Sequence, residues 1–246
     1  MKKILWFGIL LFLILPGLAN ATLTAIGTAT YNESEYNLIW DDDNNGNSVV
    51  WLDYSHYSDD WDPQVAWAST LNDEGVLTIN LYDGYTVDWG TNLWRLPTTV
   101  DGLEVYGYEG DPDGDGNYTY TKGYNLANSE MGHLFYEELG NLGYIDTSGS
   151  SPDLDVCGLI QTDDFNELTE ESYWSGTEYA YNTSYAWYFD MAGGFQSASD
   201  SKYAGAYALA LRTGEVSVVP VPGTFWLLGL GITSLAGLSR KKFNRA

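Results

Sequence analysis

Residues 173–190 read Tyr-Trp-Ser-Gly-Thr-Glu-Tyr-Ala-Tyr-Asn-Thr-Ser-Tyr-Ala-Trp-Tyr-Phe-Asp. Aromatic and β-branched side chains suit a pleated surface, so 173–178 and 185–190 read as two strands. The small polar residues near Asn182 break the run between them. Tyr207–Arg212 is a third strand of the same kind, and Thr213–Val219 reads as a linker leaving the domain.

Upstream the same grammar continues. Tyr36–Trp40 and Val49–Tyr54 are apolar runs flanking the polar stretch Asp41-Asp42-Asp43-Asn44-Asn45-Gly46-Asn47, the pattern of a hairpin. Asp62-Pro63 supplies an N-cap and a first-turn proline for a short helix over Gln64–Leu71. After Asn128 and Ser129, the residues Met131, Leu134, Phe135 and Leu139 recur at helical spacing, and Gly140 stands at the C-cap. Between these helices, Leu93-Trp94-Arg95-Leu96-Pro97-Thr98 leads into a long loop, Asp101–Asn125, rich in Gly, Tyr and Asp. No fixed-period repeat is present, which argues against a solenoid or a propeller.

The ends of the chain carry transport signals. Met1-Lys2-Lys3, the apolar run Ile4–Leu15 and Ala19-Asn20-Ala21 form the three parts of a secretory signal peptide over residues 1–21, with a mature start at Thr22. An uncleaved N-terminal anchor is the alternative, against which the run is short for a span. Val216–Leu238 is uncharged and long enough to cross a bilayer, and Arg240, Lys241, Lys242 and Arg245 follow it. Basic residues stay on the cytoplasmic side, so the domain before the span is expected outside the inner membrane. The exported domain is thus 22–215, with linker, span and basic tail in 216–246.

Charge narrows the partners. Of 34 acidic and 10 basic residues, all the acids lie between Glu33 and Glu215 with only Arg95, Lys122, Lys202 and Arg212 among them, so this stretch carries −30. Such a field repels phosphate backbones and excludes nucleic acid as a natural partner, while favouring cations, cationic polymers or neutral sugars. Eight Trp in the exported part supply a core that a disordered acidic chain lacks. Cys157 is the only cysteine, so no internal disulfide forms, and it is expected to be a buried small hydrophobe.

Two resemblances follow from these residues. Pro220-Val221-Pro222, the Gly- and Leu-rich span and the terminal Arg/Lys cluster resemble the tripartite PEP-CTERM sorting signal, with Val221 where Glu is usual. The likeness implies transit through the inner membrane and a sorting protease or transpeptidase of the exosortase type; a plain single-span anchor is the alternative. Val50-Trp51-Leu52-Asp53, Trp94-Arg95-Leu96-Pro97-Thr98, Tyr173–Tyr179, Ala186–Asp190 and Ala208–Arg212 resemble the Lcl C-terminal domain family over about 36–212. That resemblance implies an α+β, C-type-lectin-like fold of short antiparallel strands with two helices. It also implies a surface or secreted protein adhering to extracellular polysaccharide.

Candidate chemistry is sparse. The enzymatic branch of that superfamily uses paired cysteines, and this chain has one. His56 and His133 read as ordinary histidines, and acidic neighbours such as Glu137/Glu138 and Glu170/Glu171 arise by chance among so many, so no catalytic residue is expected. Asp111, Asp113 and Asp115 alternate, with Gly116 in sixth place and Asn117 beyond it, as in a loop that wraps oxygens around calcium. Lys122 occupies the twelfth place, where a bidentate Glu belongs. Asp41-x-Asp43-x-Asn45-Gly46 repeats the start of the pattern; a solvated turn is the alternative for both.

Tyr106, Tyr108, Tyr118, Tyr120 and Tyr124 cluster in the long loop and are the candidate sugar contacts, their faces suited to stacking on sugar rings. Trp51, Trp94, Trp174 and Trp187 read as core. The expectation is an exported envelope or matrix protein that binds polysaccharide, with calcium as a candidate cofactor. A ligand-free structural protein and a glycan hydrolase are the other classes.

Overall fold

The computed structural model describes residues 23–58, 60–108 and 120–219. The signal peptide, the Asp111–Asn117 loop, Tyr118, the paired prolines Pro220 and Pro222 and the basic tail lie outside the described residues. Within them the fold is mixed and sheet-dominated, with few helices.

The chain opens with β1 (Leu23–Tyr31), β2 (Ser34–Asn44) and β3 (Asn47–Ser58), an antiparallel meander. Both connections are two-residue turns whose central residues have positive φ: Asn32 and Glu33, then Asn45 and Gly46. This mirror-image turn matches the twist of the flanking strands, and Asn-Gly is its strongest signal. The expected hairpin is therefore present, with strands of 11 and 12 residues rather than short ones.

Next come α1 (Trp61–Thr70) and the short strands β4 (Thr78–Leu81), β5 (Tyr85–Asp88), β6 (Tyr106–Gly107) and β7 (Lys122–Gly123). α2 (Glu130–His133) leads straight into a π-turn over Leu134–Glu138. The last part holds β8 (Ser172–Glu178), β9 (Ala186–Asp190), β10 (Phe195–Ser197), β11 (Ala206–Thr213) and β12 (Glu215–Val218). Among the described residues ten strands form one sheet in the order β4-β1-β2-β3-β11-β8-β9-β10-β7-β6. Two pairings in it, β11 with β8 and β6 with β7, are parallel, which corrects the expectation of antiparallel strands alone.

The centre of this sheet is buried on both faces. In β3, Val50 and Leu52 face one core cluster while Val49 and Trp51 face the other. In β11, Ala208 and Ala210 alternate with Leu209 and Leu211 in the same way. Side chains alternate across a strand, so burial on both sides demands a continuous apolar run, which is what 49–52 and 208–211 provide. α1 covers the first face with Trp61, Trp67, Ala68 and Leu71; Met131, Leu134, Phe135 and Leu139 cover the second. Trp51, Trp94, Trp174 and Trp187 are all buried, as expected, and so is Cys157.

Three boundaries differ from the sequence reading. α1 starts earlier, with Asp60 at the N-cap, because Trp61 is drawn under the sheet by its indole bond to the Ser175 carbonyl. The second helix is one α-turn followed by a π-turn, closed by Gly140 at positive φ. The stretch 213–219 is not a linker: β12 pairs with β5, and the Val219 amide bonds to the Gly84 carbonyl. Val216–Val218 therefore belong to the domain and not to an apolar span. Among the described residues no helix is long and apolar enough to cross a membrane.

Candidate ligand-binding surface

The turn from Tyr179 to Tyr185 separates two open depressions. On one side Glu104, Tyr179, Asn182, Tyr185, Ala198 and Ser199 line a groove of about 290 Å³. On the other, Asp60, Asp62, Thr183, Ser184, Lys202 and Tyr203 are the main lining of one of about 210 Å³. Each is near or below the roughly 300 Å³ at which pockets enclose a drug-sized ligand, and both are open. A chain of linked units laid across the turn could occupy both.

The turn is braced from below. Tyr179 packs edge-on against buried Trp187, with centroids 5.7 Å apart, and Tyr181 lies 5.7 Å from Tyr179. The Trp187 indole donates to Asp101 at 2.8 Å, and the Asp101 carboxylate also receives the Ala180 amide. The Lys202 amide bonds to the Ser184 carbonyl at 3.1 Å, and the Trp61 amide to the Lys202 carbonyl at 2.8 Å. Tyr181 is 65% exposed and Tyr203 81%, so two aromatic rings stand in solvent on a fixed base.

The polar groups are already organised. Glu104 Oε1 accepts from the Ala198 amide and Ser197 Oγ, both at 3.0 Å, and lies 3.2 Å from Lys122 Nζ. Burial works against its charge, but the Ala198, Lys122 and Ser197 contacts outweigh burial and hold the carboxyl below the usual range. Lys122 Nζ also donates to Ser199 Oγ at 3.0 Å. Lys202 pairs with Glu178 and lies 4.1 Å above the Trp61 ring. A third depression, of about 300 Å³ beside α1, is lined by Val65, Leu93, Trp94 and Leu96 and offers no exposed aromatic face.

The loop tyrosines divide. Tyr106 is half-exposed on β6, paired in register with Lys122, and is not among the residues that line the Glu104 groove. Tyr108, Tyr120 and Tyr124 are partly buried. Tyr120 lies against Gly107, Tyr108 against Gly149, and Tyr124 packs on Phe195 at 5.0 Å. Sequence reasoning missed Tyr181, Asn182, Tyr185 and Tyr203. The signal available was the recurrence of Tyr at 179, 181 and 185 around polar residues, which the strand pattern masked.

The two histidines and the second acidic loop also find their places. His56 Nδ1 lies 2.6 Å from Gln64 Oε1 and its ring stacks on Trp67 at 4.5 Å, a structural role. Asp41 is fully buried, whereas Asp43 is exposed and caps the Gly46 amide. Their carboxylates face different surroundings, and Asn45-Gly46 form the hairpin turn. Among the described residues no group of three or more His, Cys, Asp or Glu side chains could hold a metal ion. No protein-family model, curated protein or solved structure matches the chain.

Proposed function

We propose that this is an exported envelope or extracellular-matrix protein whose domain binds polysaccharide across the 179–185 turn, without catalysing a reaction on it. The observation that carries the reading is the pair of open depressions on either side of one braced turn, with Tyr181 and Tyr203 exposed beside acidic and amide groups. Exposed aromatic faces suit the apolar faces of sugar rings; Asn182, Ser199 and the free edge of Glu104 suit hydroxyls. The −30 charge favours a neutral or cationic polymer over an anionic one.

Binding suits the surface better than hydrolysis does. A glycosidase needs one carboxyl with a raised pKa as proton donor. Glu104 is held in the opposite direction. A predominantly antiparallel sheet with two short helices and a long loop at one edge is consistent with a C-type-lectin-like arrangement. Sorting by an exosortase-type enzyme, with residues 220–246 as the signal, belongs to the same reading, as does calcium in the Asp111–Asn117 loop. The experiment is a panel of neutral, cationic and anionic polysaccharides offered to the purified protein with and without chelator. Saturable binding to a neutral or cationic member is the expected result. Absence of binding across the panel leaves a structural protein, and release of reducing ends makes it a hydrolase.

A further inference from the structure

Outside the candidate surface, the π-turn creates an unusual contact. In an α-helix, residues five apart point about 140° away from each other. Here the Leu139 amide reaches back five residues to the Leu134 carbonyl, and the Asn141 amide bonds to Phe135. The extra residue in the turn brings positions five apart to one face. His133 Nε2 consequently stands 3.3 Å from Glu138 Oε1, whose side chain has no exposure at all.

Opposite this pair sits the end of the β2–β3 hairpin. Asp41 and Asn44 are fully buried. Asp41 Oδ2 accepts from Asn44 Nδ2 at 2.8 Å and from the Trp51 indole at 3.1 Å. Asn44 also donates to the Glu130 carbonyl, and Asn45 to the Ser129 carbonyl, so the hairpin tip is fastened to α2. The cluster is under-satisfied. Asp41 Oδ1, Asn44 Oδ1, both Glu138 oxygens and His133 Nε2 are buried without a hydrogen-bond partner, the 3.3 Å His133–Glu138 contact being an ion pair only when the imidazole is protonated. Leaving such groups unpaired costs more than a made bond returns.

We propose that Asp41, His133 and Glu138 act as one proton-linked unit that fastens the β2–β3 hairpin to the π-turn, tight when protonated and loosened when its protons leave. A proton on Asp41 Oδ1 converts one orphaned acceptor into a donor within the cluster, and an imidazolium at His133 faces Glu138. Loss of both leaves two buried carboxylates with no counter-charge inside the cluster. Burial pushes the Asp41 carboxyl up to about 6, with Glu138 adding to the rise and the Asn44, Trp51 and His133 contacts opposing it. At His133 burial opposes the charge, but Glu138 outweighs it, helped by Asp41 and Glu137, and the pKa stands above the ordinary histidine value. The other charged groups nearby are Glu137, exposed on the π-turn, Glu130, engaged by Arg95, and Asp42 and Asp43, exposed on the hairpin.

The test is amide hydrogen exchange of residues 41–47 in the full chain at pH 5 and pH 8, corrected for intrinsic exchange and compared with β11. Protection of the hairpin tip is expected to fall about tenfold, the equivalent of one pKa unit, while β11 is unchanged. Asp41→Asn keeps an oxygen for Asn44 and Trp51 and supplies a permanent donor, so the tip should stay protected at both values. Glu138→Gln should reduce the pH dependence and serves if Asp41→Asn does not fold. Protection in the wild type that does not change with pH overturns the proposal. So does an unaltered pH dependence in either variant, or protection that follows added calcium instead of pH.

Discussion

Arg95 and Glu130 meet fork to fork, Nη1 and Nη2 donating to Oε2 and Oε1 at 2.6 and 2.7 Å. Glu130 Oε2 also accepts from the Thr98 amide at 2.6 Å and Thr98 Oγ1 at 3.0 Å. Arg95 in turn is bridged to Leu211 of β11 through both backbone bonds. The pair thus ties the 93–98 segment, the head of α2 and the centre of the sheet together, and fixes where the long loop begins.

Glu130→Gln should therefore lower stability by about 2 kcal/mol, the scale of a charged hydrogen bond discounted for the partly exposed Arg95. Arg95→Lys should lose most of the same amount, because an ammonium cannot make two parallel bonds. Urea denaturation measures both. A midpoint indistinguishable from wild type in either variant contradicts this role for the pair.

Stability should fall as pH rises from about 4 to 7. Burial pushes the folded Asp41 carboxyl up to about 6 from an ordinary 3.8, so the folded state binds its proton more tightly. Its contribution is complete below the unfolded value and is lost as pH passes through about 6. The shift of about two units corresponds to about 3 kcal/mol. His133, also raised, acts in the same direction, complete below about 6.5 and lost as pH passes its folded value. Denaturation of wild type and Asp41→Asn at pH 4.5 and 7.5 should show the wild type losing ground to the variant by about 2 kcal/mol, the part of the linkage that falls between those values. An equal pH response in both sinks the assignment.

Calcium should raise the melting temperature if Asp111, Asp113, Asp115 and Asn117 hold it, since a ligand that binds only the folded state stabilises by mass action. Chelator should reverse the gain. A melting temperature indifferent to both makes this stretch a plain turn.

Processing should leave a chain that begins at Thr22 and ends near Pro220. The fold sets the second limit, because β12 and the Val219 bond to Gly84 keep everything before Pro220 within the domain. Intact mass of protein recovered from envelope and medium decides; a chain retaining Ala246 indicates a single-span anchor instead.

Where local pattern and burial agreed, the sequence was legible. Val49–Leu52 and Ala208–Leu211 read as strands because both faces are buried, and Asn45-Gly46 closes its hairpin by its own conformational preference. β12 was hidden because Val216–Val218 are as apolar as the run that follows, and only Tyr85–Asp88, distant in sequence, gives them a partner. The π-turn was hidden because Leu139 fits α-spacing as well, so the His133–Glu138 contact could not be foreseen. The candidate surface was half visible. Tyr106 and Glu104 lie in the long loop read from the sequence, whereas Tyr181 and Tyr203 are exposed on segments whose neighbours are held in place, Tyr179 against Trp187 and Lys202 by the Trp61 amide.

The most direct measurement compares polysaccharide affinity of the wild type with Tyr181→Ala and Tyr203→Ala, using the polymer that binds best and following affinity by calorimetry. Both rings are exposed, so the variants should fold with unchanged melting temperatures. Each is expected to weaken binding about tenfold, the scale of losing one contact residue that matters at an interface. Unchanged affinity in both variants, with the fold intact, would place binding elsewhere and contradict the account.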